Sequence, residues 1–294
     1  MVAASLIGVS VTPVAGVATA TFSVTQVWNY PTYSGTVHSD FGHAGNYTSS
    51  TTAFTTLQGG TSDGSNVYFI RTKDVAQAGG KNYQYGVLLK ARLSDGALLK
   101  SNPTPVRKDA NGRWVTTSII GHGNDILYKS DTNRIFVPGW KNDDTVMPPG
   151  TDVNKRMKGF GAADLGYDKS LDFPNVFNAA YYDGTGSWVT RNGGTLRYYN
   201  TNYQQYRSTT ISQQWSNGVW QGIDCTANAI YVVETKGSAA AVHVINFSGQ
   251  ETKVWTSSNV GGEAEHIFHV GKTFYLGVGN LGASAALKKT SITP

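Results

Sequence analysis

The sequence predicts an all-β fold closed into a five-bladed β-propeller, and three observations carry that expectation. The first is composition: 294 residues include 34 Gly, 7 Trp, 16 Tyr and 11 Phe, and only 15% are charged. Glycine suits tight turns, and aromatic and β-branched side chains suit pleated, half-buried surfaces. No long stretch has the period-3.6 apolar spacing of a helix.

The second observation is a repeat in which a polar cluster stands just ahead of an apolar stretch. Its copies include Leu57-Gln58-Gly59-Gly60, Gly121-His122-Gly123-Asn124-Asp125 and Phe177-Asn178-Ala179-Ala180. Trp220-Gln221-Gly222-Ile223-Asp224 and Gly262-Glu263-Ala264-Glu265-His266 complete the set. With Gln58, Asn124, Asn178, Gln221 and Glu263 as markers, the intervals are 66, 54, 43 and 42 residues. Polar residues before strands are common in turns, but a recurrence of about 40–50 residues built from short strands is the mark of a propeller blade.

The third observation is punctuation, which justifies the elements in order. The alternation Phe22-Ser23-Val24-Thr25-Gln26-Val27-Trp28 reads as a strand that completes the last blade, leaving no free edge there. Residues 29–50, rich in Tyr, Ser, Thr, Gly and His, read as a long loop or lid. The first blade is expected over about 52–106, with Ser94-Asp95-Gly96 as a hairpin turn between apolar runs. The second is expected to start near Trp114-Val115-Thr116, with an exposed Pro/Asp/Gly/Lys-rich loop between Lys141 and Lys158. The third holds Ala179-Ala180-Tyr181-Tyr182, Trp188-Val189-Thr190 and Thr195-Leu196-Arg197-Tyr198-Tyr199. The fourth holds the runs beginning at Ala229, Ala241 and Glu251, and the fifth those beginning at Ala264, Thr273 and Ala286. A sixth blade would have to hide in the long first segment; a β-sandwich is the rival architecture.

Residues 1–20 carry no charged side chain, and Ala18-Thr19-Ala20 resembles a signal-peptidase site. They are expected to be a secretory signal peptide or its remnant, followed by a single domain over 21–294 and an extracellular location. No basic residue precedes Arg71, so the usual basic leader is missing. A native N-terminal strand or tail of a phage or virion component is the rival. Pro13 and Gly16 argue against a spanning helix. Cys225 is the only cysteine, which excludes an intrachain disulfide and reads as a buried, inert thiol. The net charge of +5 is scattered, without basic runs interleaved with aromatics, so nucleic-acid binding has little support.

A propeller gathers equivalent positions of every blade around one axis. The candidate ligand-binding residues at one end of that axis are Gln58, His122, Asn124, Asp125, Asn178, Gln221, Asp224, Glu263, Glu265 and His266. Strand alternation lets about half face inward, and Asn124 and Asp125 should diverge. Amides and carboxylates for hydroxyl groups, with many Trp and Tyr for sugar faces, suit carbohydrate recognition. A glycoside hydrolase would need two carboxylates at a set separation, drawn from Asp125, Asp224, Glu263 and Glu265. A metal site from His122, Asp125 and Glu265 lacks any HExxH or EF-hand spacing, so no metal or other cofactor is expected. Alternatively these groups bond one another and hold the blades together. No GxSxG, Walker or GxGxxG motif occurs.

Three of these segments carry a family resemblance. Trp220-Gln221-Gly222-Ile223-Asp224 with Ala229-Ile230-Tyr231-Val232, and Glu263-Ala264-Glu265-His266-Ile267 with Phe274-Tyr275-Leu276, resemble segments of the helveticin J-like class III bacteriocins. Gly121-His122-Gly123-Asn124-Asp125 sits where that family has a Gly-His-polar cluster. The likeness covers roughly residues 120–280 as a spaced pattern. It implies a propeller-like fold and a secreted protein acting on the envelope of related bacteria, and assigns no catalytic residue. The expected partner is therefore a bacterial cell-wall glycan or surface receptor. A structural or adhesive component of a surface or phage assembly is the remaining alternative.

Overall fold

A computed structural model describes residues 17–38, 49–76, 82–102, 106–108, 114–116, 120–138, 156–172, 178–182, 186–280 and 283–294. Five four-stranded antiparallel units form a five-bladed β-propeller. The first blade is Thr56–Ser62, Asn66–Ala76, Asn82–Arg92 and Leu98–Asn102. The second is Leu127–Lys129, Arg134–Pro138, Arg156–Gly161 and Tyr167–Asp172. The third is Asn178–Tyr182, Ser187–Asn192, Thr195–Tyr199 and Gln205–Thr210. The fourth is Val219–Cys225, Ala229–Lys236, Ala239–Asn246 and Glu251–Ser257, with Ala18–Thr21 added in parallel at its outer edge. The fifth is Glu263–Val270, Thr273–Asn280, Ala283–Thr290 and, from the N-terminal region, Val24–Asn29. The first strand of each blade touches the first strand of the next, around a complete ring.

The closing strand forms as the alternation predicts: Val24 pairs with Thr290 and Asn29 with Ala286. Its Trp28 indole donates to the Leu93 carbonyl at 2.8 Å, locking the fifth blade onto a hairpin of the first. That hairpin turns at Gly96 with φ +73°, a backbone that glycine adopts without strain.

Each seam between blades has its own apolar cluster. Phe69, Phe268 and Leu287 fill the seam of blades five and one, and Ile70, Ile135 and Phe160 that of one and two. Phe136 and Trp188 join two to three, Val189 and Val232 three to four, and Tyr231 and Phe274 four to five. Both faces of every sheet are thus covered, which is why the strands read as near-continuous apolar runs rather than clean alternations.

Three expectations need correction. Trp114–Thr116 pairs with Val106–Lys108 in a separate hairpin, and the second blade begins at Leu127. Lys158 is buried inside the strand Arg156–Gly161 rather than in a loop; residues 139–155 lie outside the described residues. Residues 29–50 are not wholly loop, because Tyr33–His38 pairs with Ser49–Phe54. Among the described residues no helix is long and apolar enough to cross a membrane.

Candidate functional site

The innermost strands are irregular at the polar clusters. Register shifts fall between Leu57 and Gly60, between Trp220 and Ile223, and between Ala264 and His266. A bulge inserts an extra residue and re-aims side chains. Here three blades bulge at equivalent places, where the polar residues must leave the strand's alternation.

The reason lies at the ring axis, where backbone meets backbone. A Cβ on Gly59 would stand 2.3 Å from Asp125 Cα, and one on Gly222 would stand 2.6 Å from His266 Cα. Nothing larger than glycine fits these contacts. Asp125, Asn178 and Arg191 cluster there, and His266 lies in the seam between the fifth and first blades, its ring against Gly60 and Gly277; all four are buried.

His266 joins the fifth blade to the first through two hydrogen bonds. Its Nδ1–H donates to the Gln58 carbonyl at 2.6 Å, and the Tyr30 hydroxyl donates to Nε2 at 2.8 Å. Burial pushes the imidazole down to about 4, so the neutral ring with its proton on Nδ1 satisfies both partners. Asp125 accepts the Ile126 and Ile223 N–H groups, each at 2.9 Å, tying the second blade to the fourth. Burial drives its carboxyl well above the usual carboxylate range, against the pull of those bonds and of Arg191. The Arg191 guanidinium, lowered to about 10 by burial, donates to Asn178 Oδ1, to the Gln221 carbonyl and, at 2.8 Å, to the Gly193 carbonyl.

Above this plug, where the innermost strands begin, opens a cavity of about 770 Å³. Gln58, His122, Asn124, Gln221, Glu263 and Glu265 line it, together with Tyr30, Phe54, Leu57, Val219, Trp220 and Arg71. Six of the ten sequence-predicted residues are thus brought together by three blades and the segment ahead of the second. Asp125, Asn178 and His266 are not in the lining: Asp125 is turned to the Ile126 and Ile223 N–H groups, Asn178 to Arg191, and His266 into the seam of the fifth and first blades. Asn124 lines the cavity and Asp125 does not, but strand alternation is not the reason, because the strand begins only at Leu127. Asp224 is also absent from the lining: it lies further along its strand and accepts from His269 Nδ1 at 2.7 Å, a contact that raises the His269 imidazole against the effect of its burial. One wall comes from the insertion after the closing strand, through Thr32, Ala53, Phe54 and Thr55.

Within the cavity the groups differ in state. Gln221 Nε2 donates to Glu263 Oε1 at 2.9 Å. Glu265, two residues along the strand, is only 7% exposed, and burial with repulsion from Glu263 pushes its carboxyl well above the usual range. His122 Nδ1 meets Gln84 Oε1 at 2.8 Å, and burial lowers its imidazole to about 4. Arg71 donates to the carbonyls of Thr55 at 2.7 Å and Tyr30 at 3.2 Å. Trp220 rests on the His243 ring with centroids 4.9 Å apart. His243 is itself clamped between Glu251 at 2.5 Å and Glu234 at 3.0 Å; these bonds raise its imidazole, although burial opposes them.

Tyr30, Arg71, Arg191, Trp220, Glu234 and His243 were not among the sequence candidates. Three share a placement: Arg71 pairs with Leu57, Arg191 with Asn178, and Glu234 with Trp220, so second strands put buried charges beside the starts of first strands. Their signal in the sequence is a charged residue ending or interrupting an apolar run, as in Val67-Tyr68-Phe69-Ile70-Arg71 and Trp188-Val189-Thr190-Arg191. Among the described residues no three His, Cys, Asp or Glu side chains come together in a metal-holding group. Cys225 is buried and its thiol faces the Thr226 carbonyl.

No protein-family model matches the chain, and no curated protein sequence matches it. Solved structures do resemble it. Glutaminyl cyclase from Myxococcus xanthus is similar at 10% identity and a TM-score of 0.51, over 82% of this chain and 93% of that one. A Bacteroides thetaiotaomicron protein of unknown function aligns at 8% identity and 0.49, over 92% and 76%. Regucalcin from Agrobacterium tumefaciens, a calcium-binding protein, aligns at 10% and 0.43, over 81% and 90%. At such identities the likeness to the cyclase speaks to the fold alone.

Proposed function

We propose that this propeller is a secreted protein that binds a bacterial cell-envelope glycan in the cavity at the start of its innermost strands. One observation carries the reading. Amide and carboxyl groups from separate blades, Gln58, Asn124, Gln221 and Glu263, converge with Trp220, Tyr30 and Phe54 on a single cavity. Amides and carboxylates hydrogen-bond hydroxyl groups, and aromatic faces cover the apolar faces of sugar rings. The volume suits a ligand of one or a few rings. The resemblance to helveticin J-like bacteriocins supports the envelope as target, and the uncharged first 20 residues support secretion.

A second reading is favoured by a specific pairing. Glu263 and Glu265 line the same cavity, while Asp125 and Asp224 do not. If the protein cleaves its glycan, this pair supplies the chemistry, with Glu265 holding the proton of a general acid and Glu263 the second carboxyl.

Incubation of the purified protein with isolated bacterial cell walls, assayed for bound protein and for released reducing sugar, tests both. Binding should fall about tenfold or more in Asn124→Ala and Trp220→Phe variants whose thermal unfolding matches the parent. Unchanged binding in both would place any glycan elsewhere. Sugar release that disappears in Glu265→Gln while binding persists would make the protein a glycosidase; binding without release would make it a lectin.

A further inference from the structure

We infer that the cavity selects a glycan bearing a free primary amine, whose ammonium group sits on the Glu263–Glu265 pair. This rests on the glycan-binding reading and names the class of sugar. Glu265 is more than nine-tenths buried and lines the cavity, yet no hydrogen-bond donor among the described residues reaches either of its oxygens. Its oxygens are open to the cavity rather than sealed among protein atoms, so their donors must come from what fills the cavity, water or ligand.

Its position is nonetheless built. A Cβ at Gly279 would lie 2.8 Å from Glu265 Oε1, so the glycine clears the space that the carboxyl occupies. Of the amides in the lining, Gln221 gives its Nε2 to Glu263 rather than to Glu265. Among the described lining residues Arg71 is the only Lys or Arg, and its terminal nitrogens donate to the carbonyls of Thr55 and Tyr30. The missing partner is therefore a donor that enters with the ligand.

A sugar hydroxyl would satisfy one oxygen. An ammonium brings three donors and the charge that lets two adjacent carboxylates ionise together. Burial and repulsion from Glu263 raise the Glu265 carboxyl and favour its protonated form; seating the ammonium favours the carboxylate, and the proton so displaced leaves to solvent. The other titratable groups facing the cavity, His122, Tyr30 and Arg71, keep their charge states: neutral imidazole, neutral phenol and guanidinium. Trp220 and Phe54 offer apolar surface for the sugar ring.

The test is calorimetric titration of the full chain, at about pH 6 where an amine is charged, with a glucosamine oligomer and with its N-acetylated counterpart. Running both in buffers of different ionisation enthalpy reads the protons exchanged. The expected result is binding about tenfold tighter or more for the free amine, with net proton release. E265Q and E263Q should each bring the two sugars to parity and remove the proton release. Because the protein's net charge is +5, general electrostatics opposes such a preference rather than creating it. Equal or tighter binding of the acetylated oligomer, or a preference that survives both variants, overturns the inference while leaving glycan binding in place. Failure of both oligomers also overturns it; the cell-wall assay then shows whether glycan binding itself falls.

Discussion

His266 ties the fifth blade to the first, and its protonation has a calculable consequence. Its folded imidazole titrates at about 4, against 6.5 for an unperturbed one. The unfolded chain thus takes up this proton first. The contribution to stability is complete above pH 6.5 and is lost as the pH falls towards 4, up to about 3 kcal/mol for this one group. His243 behaves oppositely: its raised imidazole stabilises fully below 6.5, and that contribution fades as the pH climbs through its folded value. Titration of the histidine ring protons by NMR should show His266 and His122 protonating near 4, and His243 and His269 above 6.5. A His266 that titrates near 6.5 would mean that this seam is hydrated rather than packed. The close approach at Gly59 gives a second test. Gly59→Ala should cost about 2–3 kcal/mol in urea unfolding, since the Asp125 backbone cannot move aside as a flexible side chain would. A neutral result would contradict the packing described at the axis.

At the scale of the element, the ring is held shut by one strand from the other end of the chain. Deleting residues through Asn29 removes Val24–Asn29 and bares the edge of Ala283–Thr290. Such a chain should aggregate or unfold on purification, whereas deletion through Ala20, which removes most of the short parallel strand Ala18–Thr21, should leave a soluble, folded protein. Size-exclusion chromatography and far-UV circular dichroism distinguish these outcomes. The closing strand was legible because its alternation is clean and the last blade lacked a fourth strand. The start of the second blade was not. Trp114-Val115-Thr116 has strong strand propensity, but propensity is local, whereas membership of a sheet depends on which partner lies within reach. The bulges were equally hidden: glycine inside a strand points to irregularity, yet only the three-dimensional packing shows that Gly59 and Gly222 admit a neighbouring backbone while Gly60 makes room for the His266 ring.

The whole molecule explains which part of the site could be read in advance. The interval between polar clusters gave the blade count, and the blade count brought Gln58, Asn124, Gln221 and Glu263 to one end of the axis. Which members face the cavity was not readable. Asp125, Asn178 and His266 belong to the same clusters and are buried, where they bind blades to each other instead of facing the cavity. The clusters thus divide in two: their buried members join the blades, and their outer members line the cavity. Arg71, Arg191 and His243 come from neighbouring strands and hold, in turn, the Thr55 and Tyr30 carbonyls, the Gln221 carbonyl and the Trp220 ring around the cavity, which no spacing rule between clusters reveals. Because the innermost strands cannot shift without breaking the axial contacts, the cavity is preorganised, and a ligand should bind with little change in backbone.

Hydrogen exchange of the whole chain, followed by mass spectrometry with and without solubilised cell-wall glycan, tests the central claim most directly. The account predicts added protection in segments 53–58, 219–222 and 263–266, with the outer strands Leu98–Asn102 and Gln205–Thr210 unchanged. Protection confined to those outer strands, or none at a concentration of glycan that saturates cell-wall binding, would contradict it.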